Sequence, residues 1–155
     1  MNPFETFGLE PSFALDLQAL RKKYISLQRE VHPDVQGGSD EQSEWLNKHY
    51  EILKDDLLRA RCLLEIHGKQ EREFPLPAVQ LMAWMEMGDW VEENPTQAES
   101  EFEVLEQQLL NQKNRLIHEA NSSFSEAKLE ELAHWIQGES YRRRLRKIHR
   151  GEREL

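Results

Sequence analysis

The sequence predicts an all-α protein, and three observations support that prediction. The 155 residues are rich in strong helix formers and include only 7 glycines and 6 prolines. Apolar residues recur at steps of three and four, as they do along one face of a helix. Glycine, proline and short polar runs separate these stretches. The apolar fraction of 38% permits a modest core, in one ordinary domain or two small ones.

The first long helix is predicted to end just before a histidine-proline-aspartate tripeptide. Its apolar stripe consists of Leu17, Leu20, Tyr24, Leu27 and Val31. Asp16 is a suitable N-cap, and Pro33 disfavours helical geometry at His32, so the helix should end near Val31. The following residues 35–40 contain two adjacent glycines and predict a loop.

A second helix is predicted from about Glu41 to His67, with Gly68 as its C-terminal stop. Two amphipathic helices joined by a loop of about nine residues starting at His32 should pair antiparallel and bury their stripes against each other. The tripeptide would then lie at one tip of a helical hairpin.

The carboxyl half predicts a second, separate bundle. Charged residues and two prolines after Gly68 indicate a boundary, so we expect domains at 1–72 and 77–155, joined by a linker at 73–76. Helices are predicted over roughly 77–93, 97–120 and 125–150, separated by Asn94-Pro95 and by Asn121-Ser122-Ser123. Three helices with short connections favour a three-helix bundle.

Composition excludes several classes of function. A formal charge of −9 argues against nucleic acid as a partner, and the basic run Tyr141–Lys147 is explained by complementing a helix dipole. Cys62 is the single cysteine, so no internal disulfide forms, and a reducing cytoplasm fits best. The amino end lacks the pattern of a secretion signal, and no apolar run approaches the ~20 residues of a membrane span. We expect a soluble protein without metal or cofactor.

The amino-terminal pattern resembles the J domain, the ATPase-stimulating module of DnaJ-type co-chaperones. The resemblance lies in His32-Pro33-Asp34 at the first loop of a hairpin, after a helix whose exposed side carries Lys22, Lys23 and Arg29. It implies that these six residues contact the ATPase domain of a heat-shock chaperone of the HscA or DnaK class, and that ATP binds the partner.

Three further segments are similar to the HscB family, co-chaperones of iron–sulfur cluster assembly. They are Phe4–Leu9, Leu17–Leu20 and Leu57–Gly68. The resemblance covers nearly the whole chain and implies a second partner, the scaffold protein IscU, on which clusters are built. It also implies a bacterial-type protein, without the paired-cysteine extension that some eukaryotic members carry.

The residues that match the family's scaffold-binding positions are Leu81, Met82, Met85, Glu86, Asp89, Glu93 and Tyr141. An apolar patch bordered by acids suits a protein contact, and methionine adapts well to a partner. Leucine and methionine at helical spacing more often fill a core. Trp84, Met87 and Trp90 lie on other sides of the same helix, so the sequence leaves open which face is buried.

Three positions depart from the family pattern: Val35 replaces a common lysine, Asp56 a common proline, and Tyr141 a common phenylalanine. Two alternatives to a co-chaperone with this scaffold stay open, a J protein with another client and a helical adaptor with an accidental His-Pro-Asp turn. Catalysis has little support. Its candidate groups, Cys62 or a metal site from His32, Asp34, His49, His67, His118 and His134, lack a recognisable catalytic spacing.

Overall fold

The computed structural model describes residues 1–119 and 124–151, and all regular structure in these ranges is helical. The chain forms two compact units, residues 1–68 and 69–155. In the described part, no helix is long and apolar enough to cross a membrane. The predicted separator at Asn121-Ser122-Ser123, the predicted end of a helix at residue 120 and the last residues of the predicted domain 77–155 lie outside the described residues.

The first unit contains four helices: α1 (Pro3–Thr6), α2 (Leu17–Val31), α3 (Asp40–Lys54) and α4 (Asp56–Ile66). α3 packs against α1, α2 and α4 and is therefore the centre of the unit. The predicted limits of α2 are confirmed, since the Asp16 carboxylate accepts hydrogen bonds from the Gln18 and Ala19 backbone and the helix ends at Val31. The α2–α3 hairpin buries Leu20 from α2 and Leu46 and Leu53 from α3.

The prediction of one continuous helix from Glu41 to His67 is wrong, because the chain breaks at Asp55. Asp55 has an extended backbone (φ −93°, ψ 126°), and its carboxylate caps α4 by accepting a hydrogen bond from the Leu58 N–H at 3.0 Å. The buried Arg59 guanidinium donates to the Leu53 carbonyl at 2.7 Å, which satisfies an acceptor left at the end of α3. Local capping therefore outweighs continuity of the helix.

The second unit is a bundle of three helices: α5 (Ala78–Glu93), α6 (Pro95–Glu119) and α7 (Glu126–His149). A 3₁₀ turn at Glu71–Glu73 precedes it and packs against α7. The core includes Val91, Ala98, Phe102 and Leu145. The all-α class and the three-helix bundle are as predicted. α6 starts at Pro95, two residues earlier than expected, because proline is favoured in the first turn of a helix.

Residues 73–76, the predicted linker, are partly anchored in the second unit. Phe74 is buried, and its carbonyl accepts a hydrogen bond from the Gln137 side-chain amide of α7 at 2.9 Å. The predicted domain limits at 1–72 and 77–155 stay predictions.

Candidate protein-binding sites

The His32-Pro33-Asp34 loop lies between the end of α2 and the start of α3. His32 caps α2 by donating its backbone N–H to the Gln28 carbonyl at 2.9 Å, then turns out of the helix with ψ 140°, as the following proline requires. The Asp34 side chain is 91% exposed, and one of its carboxylate oxygens lies 3.5 Å from Nδ1 of His32. The loop thus presents a carboxylate and an imidazole together to solvent.

Backbone hydrogen bonds close this loop. The Val35 N–H donates to the His32 carbonyl, and the Ser39 N–H donates to the Val31 carbonyl at 3.0 Å. The Asp34 N–H donates to Nδ1 of His32 at 3.2 Å, so the tautomer that fits has its proton on Nε2. These backbone hydrogen bonds hold the tripeptide in one turn, so its conformation does not rest on side-chain packing alone.

Gly38 permits the loop to fold back onto α2. A Cβ atom at Gly38 would lie 2.1 Å from the His32 carbonyl oxygen and 2.6 Å from that of Val31. Both atoms belong to backbone and cannot rotate away. The adjacent Gly37 has a φ of +86° and open space around its missing Cβ. The two glycines therefore have different physical roles, close approach at Gly38 and left-handed geometry at Gly37.

The three predicted basic residues of α2 do not form one equivalent set. All three residues are exposed on the helix surface, but Lys23 also makes a contact within the unit. Lys23 donates its ammonium to the Phe7 carbonyl at 2.9 Å, which ties α2 to the turn after α1. This contact gives Lys23 a structural function within the unit, which the spacing of charges along α2 could not reveal.

The structure decides which face of α5 is buried. Trp84, Met87 and Trp90 pack against the bundle core. On the outer face, Met82 is 58% exposed and Met85 64% exposed. Leu81 is also exposed, and Glu86, Asp89 and Glu93 all reach solvent. The predicted scaffold-binding residues of α5 therefore form one surface of apolar and acidic side chains.

A groove of about 510 Å³ lies between α5 and α7 on this side of the bundle. It is lined by five of the seven predicted scaffold-binding residues, Met82, Met85, Glu86, Asp89 and Tyr141. Leu81 and Glu93 are not among the lining residues. The remaining walls are Trp84, Gly88, Arg144, Leu145 and Ile148.

Tyr141 joins the two helices of this groove. Its ring stacks on Trp84 of α5, with centroids 5.5 Å apart and planes inclined by 11°. The Arg144 guanidinium lies 5.2 Å from the Tyr141 ring centroid, within cation–π range. Sequence reasoning missed Arg144 and Ile148, because their place in the groove depends on how α7 packs against α5. The three- and four-residue steps from Tyr141 to Arg144 and Ile148 are the one signal that could have found them.

Ion pairs between α6 and α7 hold the basic run of α7. Arg146 donates to Glu106 at 2.7 Å and to Glu99 at 2.8 Å, both on α6. Arg142 donates to Glu106 at 3.4 Å and, within α7, to the buried Glu139 at 2.6 Å. The hydrogen bond from Arg146 is the main reason that the pKa of Glu106 is lowered. The prediction that this run only complements the helix dipole is incomplete, since Arg142 and Arg146 also form ion pairs with acids on α6.

Two of the candidate catalytic groups, Cys62 and His49, are buried and have structural contacts. Cys62 is buried in α4, and burial raises the pKa of its thiol to about 11, so the thiol is protonated at neutral pH. His49 is buried and its Nδ1 lies 2.6 Å from the Thr6 hydroxyl, while burial lowers the pKa of the ring. Within residues 1–119 and 124–151, no three histidine, cysteine or acidic side chains are grouped as a metal site.

The chain is similar to curated proteins named co-chaperone protein HscB homologue. The protein of this name from Vibrio vulnificus is 33% identical over 112 residues, 65% of this chain and 66% of the relative. The one from Mannheimia succiniciproducens is 33% identical over 101 residues, 59% and 58% of the two chains. The matched regions thus span about three fifths to two thirds of the relatives' own length. No family model matches the chain.

A solved structure has the same fold. Chaperone HscB from Vibrio cholerae superposes with a TM-score of 0.72 over 97% of this chain and 96% of that chain, at 23% identity. At that identity the likeness establishes the fold alone. It confirms the predicted architecture, a helical hairpin of the J-domain type followed by a three-helix bundle.

Proposed function

Because the chain belongs to the HscB family of co-chaperones, we propose that it stimulates the ATPase of an HscA- or DnaK-class chaperone and delivers an IscU-like iron–sulfur scaffold to it. The observation that carries this proposal is the exposed His32-Pro33-Asp34 turn at the tip of the α2–α3 hairpin. ATP binds the partner, and this chain is an activator with no catalytic residue of its own. It acts in the cytoplasm of a bacterial cell.

The first step is docking of the hairpin on the chaperone's ATPase domain. Asp34 pairs with a cation of the partner, while Lys22 and Arg29 orient an acidic surface. Pro33 and the backbone hydrogen bonds that close the loop reduce the conformational entropy lost on docking. Lys23, which the family resemblance also places in the contact, is exposed and donates a hydrogen bond to the Phe7 carbonyl as well.

The second step is binding of the scaffold by the outer face of α5 and the groove beside it. Met82 and Met85 offer exposed apolar surface, and Tyr141 of α7 lines the groove and stacks on Trp84 of α5. Glu86, Asp89 and Glu93 supply an acidic rim and Leu81 extends the apolar area. Burial of apolar side chains provides most of the affinity, and the acids select a partner with matching cations.

Carrying both contacts on one chain raises the local concentration of the scaffold at the chaperone. Neither contact then needs to be tight, because covalent connection of the two binding sites supplies an effective concentration of about a millimolar. The result is stimulation that is greater with the scaffold than without it.

The experiment that tests the first step is steady-state ATP hydrolysis by a purified HscA-class chaperone. The unaltered protein should stimulate hydrolysis, and Asp34→Asn should abolish stimulation without changing the circular dichroism spectrum. Glu44→Gln is the matched control, since it also removes an exposed carboxylate, on α3. If Asp34→Asn stimulates as well as the unaltered protein, the chain is a helical adaptor and not a J protein.

The scaffold contact is tested by adding purified IscU to the same assay. Met85→Ala should lower the synergy between scaffold and co-chaperone and leave stimulation without scaffold unchanged. Val104→Ala, which shortens a comparably exposed apolar side chain on α6, should change neither. Stimulation that is indifferent to IscU in the unaltered protein would keep the J-protein function and assign the second unit to another client.

A further inference from the structure

An apolar groove of about 420 Å³ lies beside the His32-Pro33-Asp34 loop in the first unit. Its lining is Tyr24, Ile25, Gln28, Arg29, His32 and Val35. Ile25, Arg29 and His32 follow one another at steps of four and three residues, so they share one face at the end of α2. Val35 belongs to the loop, and the Val35 N–H donates to the His32 carbonyl at 2.9 Å, which holds the loop against the end of α2.

Two apolar side chains that line this groove are exposed to solvent and are not part of the buried core. Ile25 is 40% exposed and Val35 42% exposed. Single exposed apolar residues are ordinary on a protein surface. Here the return of the loop brings two of them, from different elements, into one concave surface next to the proposed chaperone contact.

The walls of the groove are fixed before any partner arrives. The Tyr24 ring stacks on Tyr50 at 4.1 Å, and its hydroxyl donates to the Asn47 side chain at 2.9 Å. The Gln28 amide donates to the Ser43 carbonyl at 3.1 Å. α3 therefore holds two of the lining side chains of α2, and a ligand would find a formed site with little ordering cost.

The charges around the groove select its occupant. Arg29 is exposed and lines the groove, and α2 also carries the exposed cations Arg21 and Lys22, although the whole chain has a net charge of −9. The exposed Asp34 carboxylate lies next to His32 in the adjoining loop and belongs to the proposed chaperone contact. A second copy of this chain that paired through this same groove across a two-fold axis would bring the same cations together. An acidic partner surface gains from them, and the groove shares His32 with the proposed contact.

We infer that this groove receives an apolar side chain of the partner chaperone's ATPase domain, with a partner carboxylate beside it facing Arg29. This contact rests on the proposed function and adds to it a second determinant of partner choice. Asp34 governs whether ATP hydrolysis is triggered. Ile25 and Val35 govern how tightly, and to which chaperone, the hairpin docks.

The test is a titration of the chaperone's ATPase rate with the co-chaperone. Ile25→Ser should raise the concentration for half-maximal stimulation about tenfold, the amount expected for losing part of a buried aliphatic contact, with the maximal rate unchanged. Val35→Ser, a change outside any helix, should raise it in the same direction. Leu17→Ser is the matched control, since Leu17 lies on the same helix with 43% exposure and does not line the groove.

The outcomes separate this contact from the proposed function. If both serine variants titrate within twofold of the unaltered protein while Asp34→Asn abolishes stimulation, the groove is not part of the interface and the co-chaperone function stands. If the unaltered protein gives no stimulation, the proposed function fails. Sedimentation that shows a dimer of the unaltered protein, lost in Ile25→Ser, would assign the groove to a second copy and overturn the inference.

Discussion

Replacing Gly38 with alanine should impair ATPase stimulation through the backbone of the loop. The new Cβ would lie 2.1 Å from the His32 carbonyl oxygen, and real contacts of this kind are not shorter than 3.0 Å, so the two atoms must separate by about 0.9 Å. Because the opposing atoms are backbone, the movement shifts His32 and weakens the Ser39 N–H bond to the Val31 carbonyl. We expect a loss of about 1–3 kcal/mol in folding free energy, as for overpacking elsewhere.

Gly37→Ala provides the control for a purely local destabilisation. Its left-handed φ of +86° disfavours alanine by about 1–2 kcal/mol, but the added Cβ meets no atom within 4 Å. Both variants should lower the urea midpoint, whereas Gly38→Ala should lower maximal stimulation and shift the Asp34 amide resonance much more than Gly37→Ala. Equal stimulation by the two variants, at matched stability, would refute the view that close approach at Gly38 positions the tripeptide.

Three further outcomes are expected. Arg59→Leu should destabilise the first unit by about 3–5 kcal/mol in urea denaturation, because the buried guanidinium serves two backbone carbonyls and the Asp56 carboxylate; a loss under 1 kcal/mol would contradict that account. The pKa of Glu106 is lowered in the folded state, so the ionised carboxylate stabilises the fold at neutral pH and this effect is lost as the pH falls through and below about 4.5. Glu106→Gln should therefore be less stable than the unaltered protein at pH 7 and lose less stability in acid. Urea midpoints of the two proteins that change in parallel with pH would contradict this prediction. Cys62, with its thiol pKa raised to about 11, should react with a thiol reagent at pH 8 far more slowly in the folded than in the urea-unfolded protein, and equal rates would show that the thiol is accessible.

Local signals in the sequence were sufficient to predict the first long helix and the loop at its end. The Asp16 cap and the restriction that Pro33 imposes on His32 act over a few residues, so both ends of α2 could be predicted. The same holds for the C-terminal stop at Gly68, which has a φ of +72°. The break at Asp55 was missed because aspartate is tolerated within a helix, and the group that favours the break, Arg59, is held by the distant Phe13 carbonyl.

The proposed scaffold-binding residues of α5 were predicted as an apolar patch bordered by acids, but the sequence left open which face of the helix is buried. Helical spacing placed Met82 and Met85 on one stripe and Trp84 on another, and both stripes are apolar, so periodicity could not choose the buried one. The choice depends on α7, which offers Tyr141 to stack on Trp84 and leaves the methionines outside. Arg144 enters the groove for the same reason.

The sequence by itself determined the helical class, the ends of α2 and the tripeptide that follows it, because capping, proline geometry and apolar spacing are properties of neighbouring residues. Only the tertiary structure decided that Lys23 is tied to the Phe7 carbonyl, that the methionine face of α5 is exposed, and that Ile25 and Val35 meet in one groove. Each of these depends on side chains far apart in the chain or on the exact return of a loop. Their energies arise from contacts that no local pattern encodes.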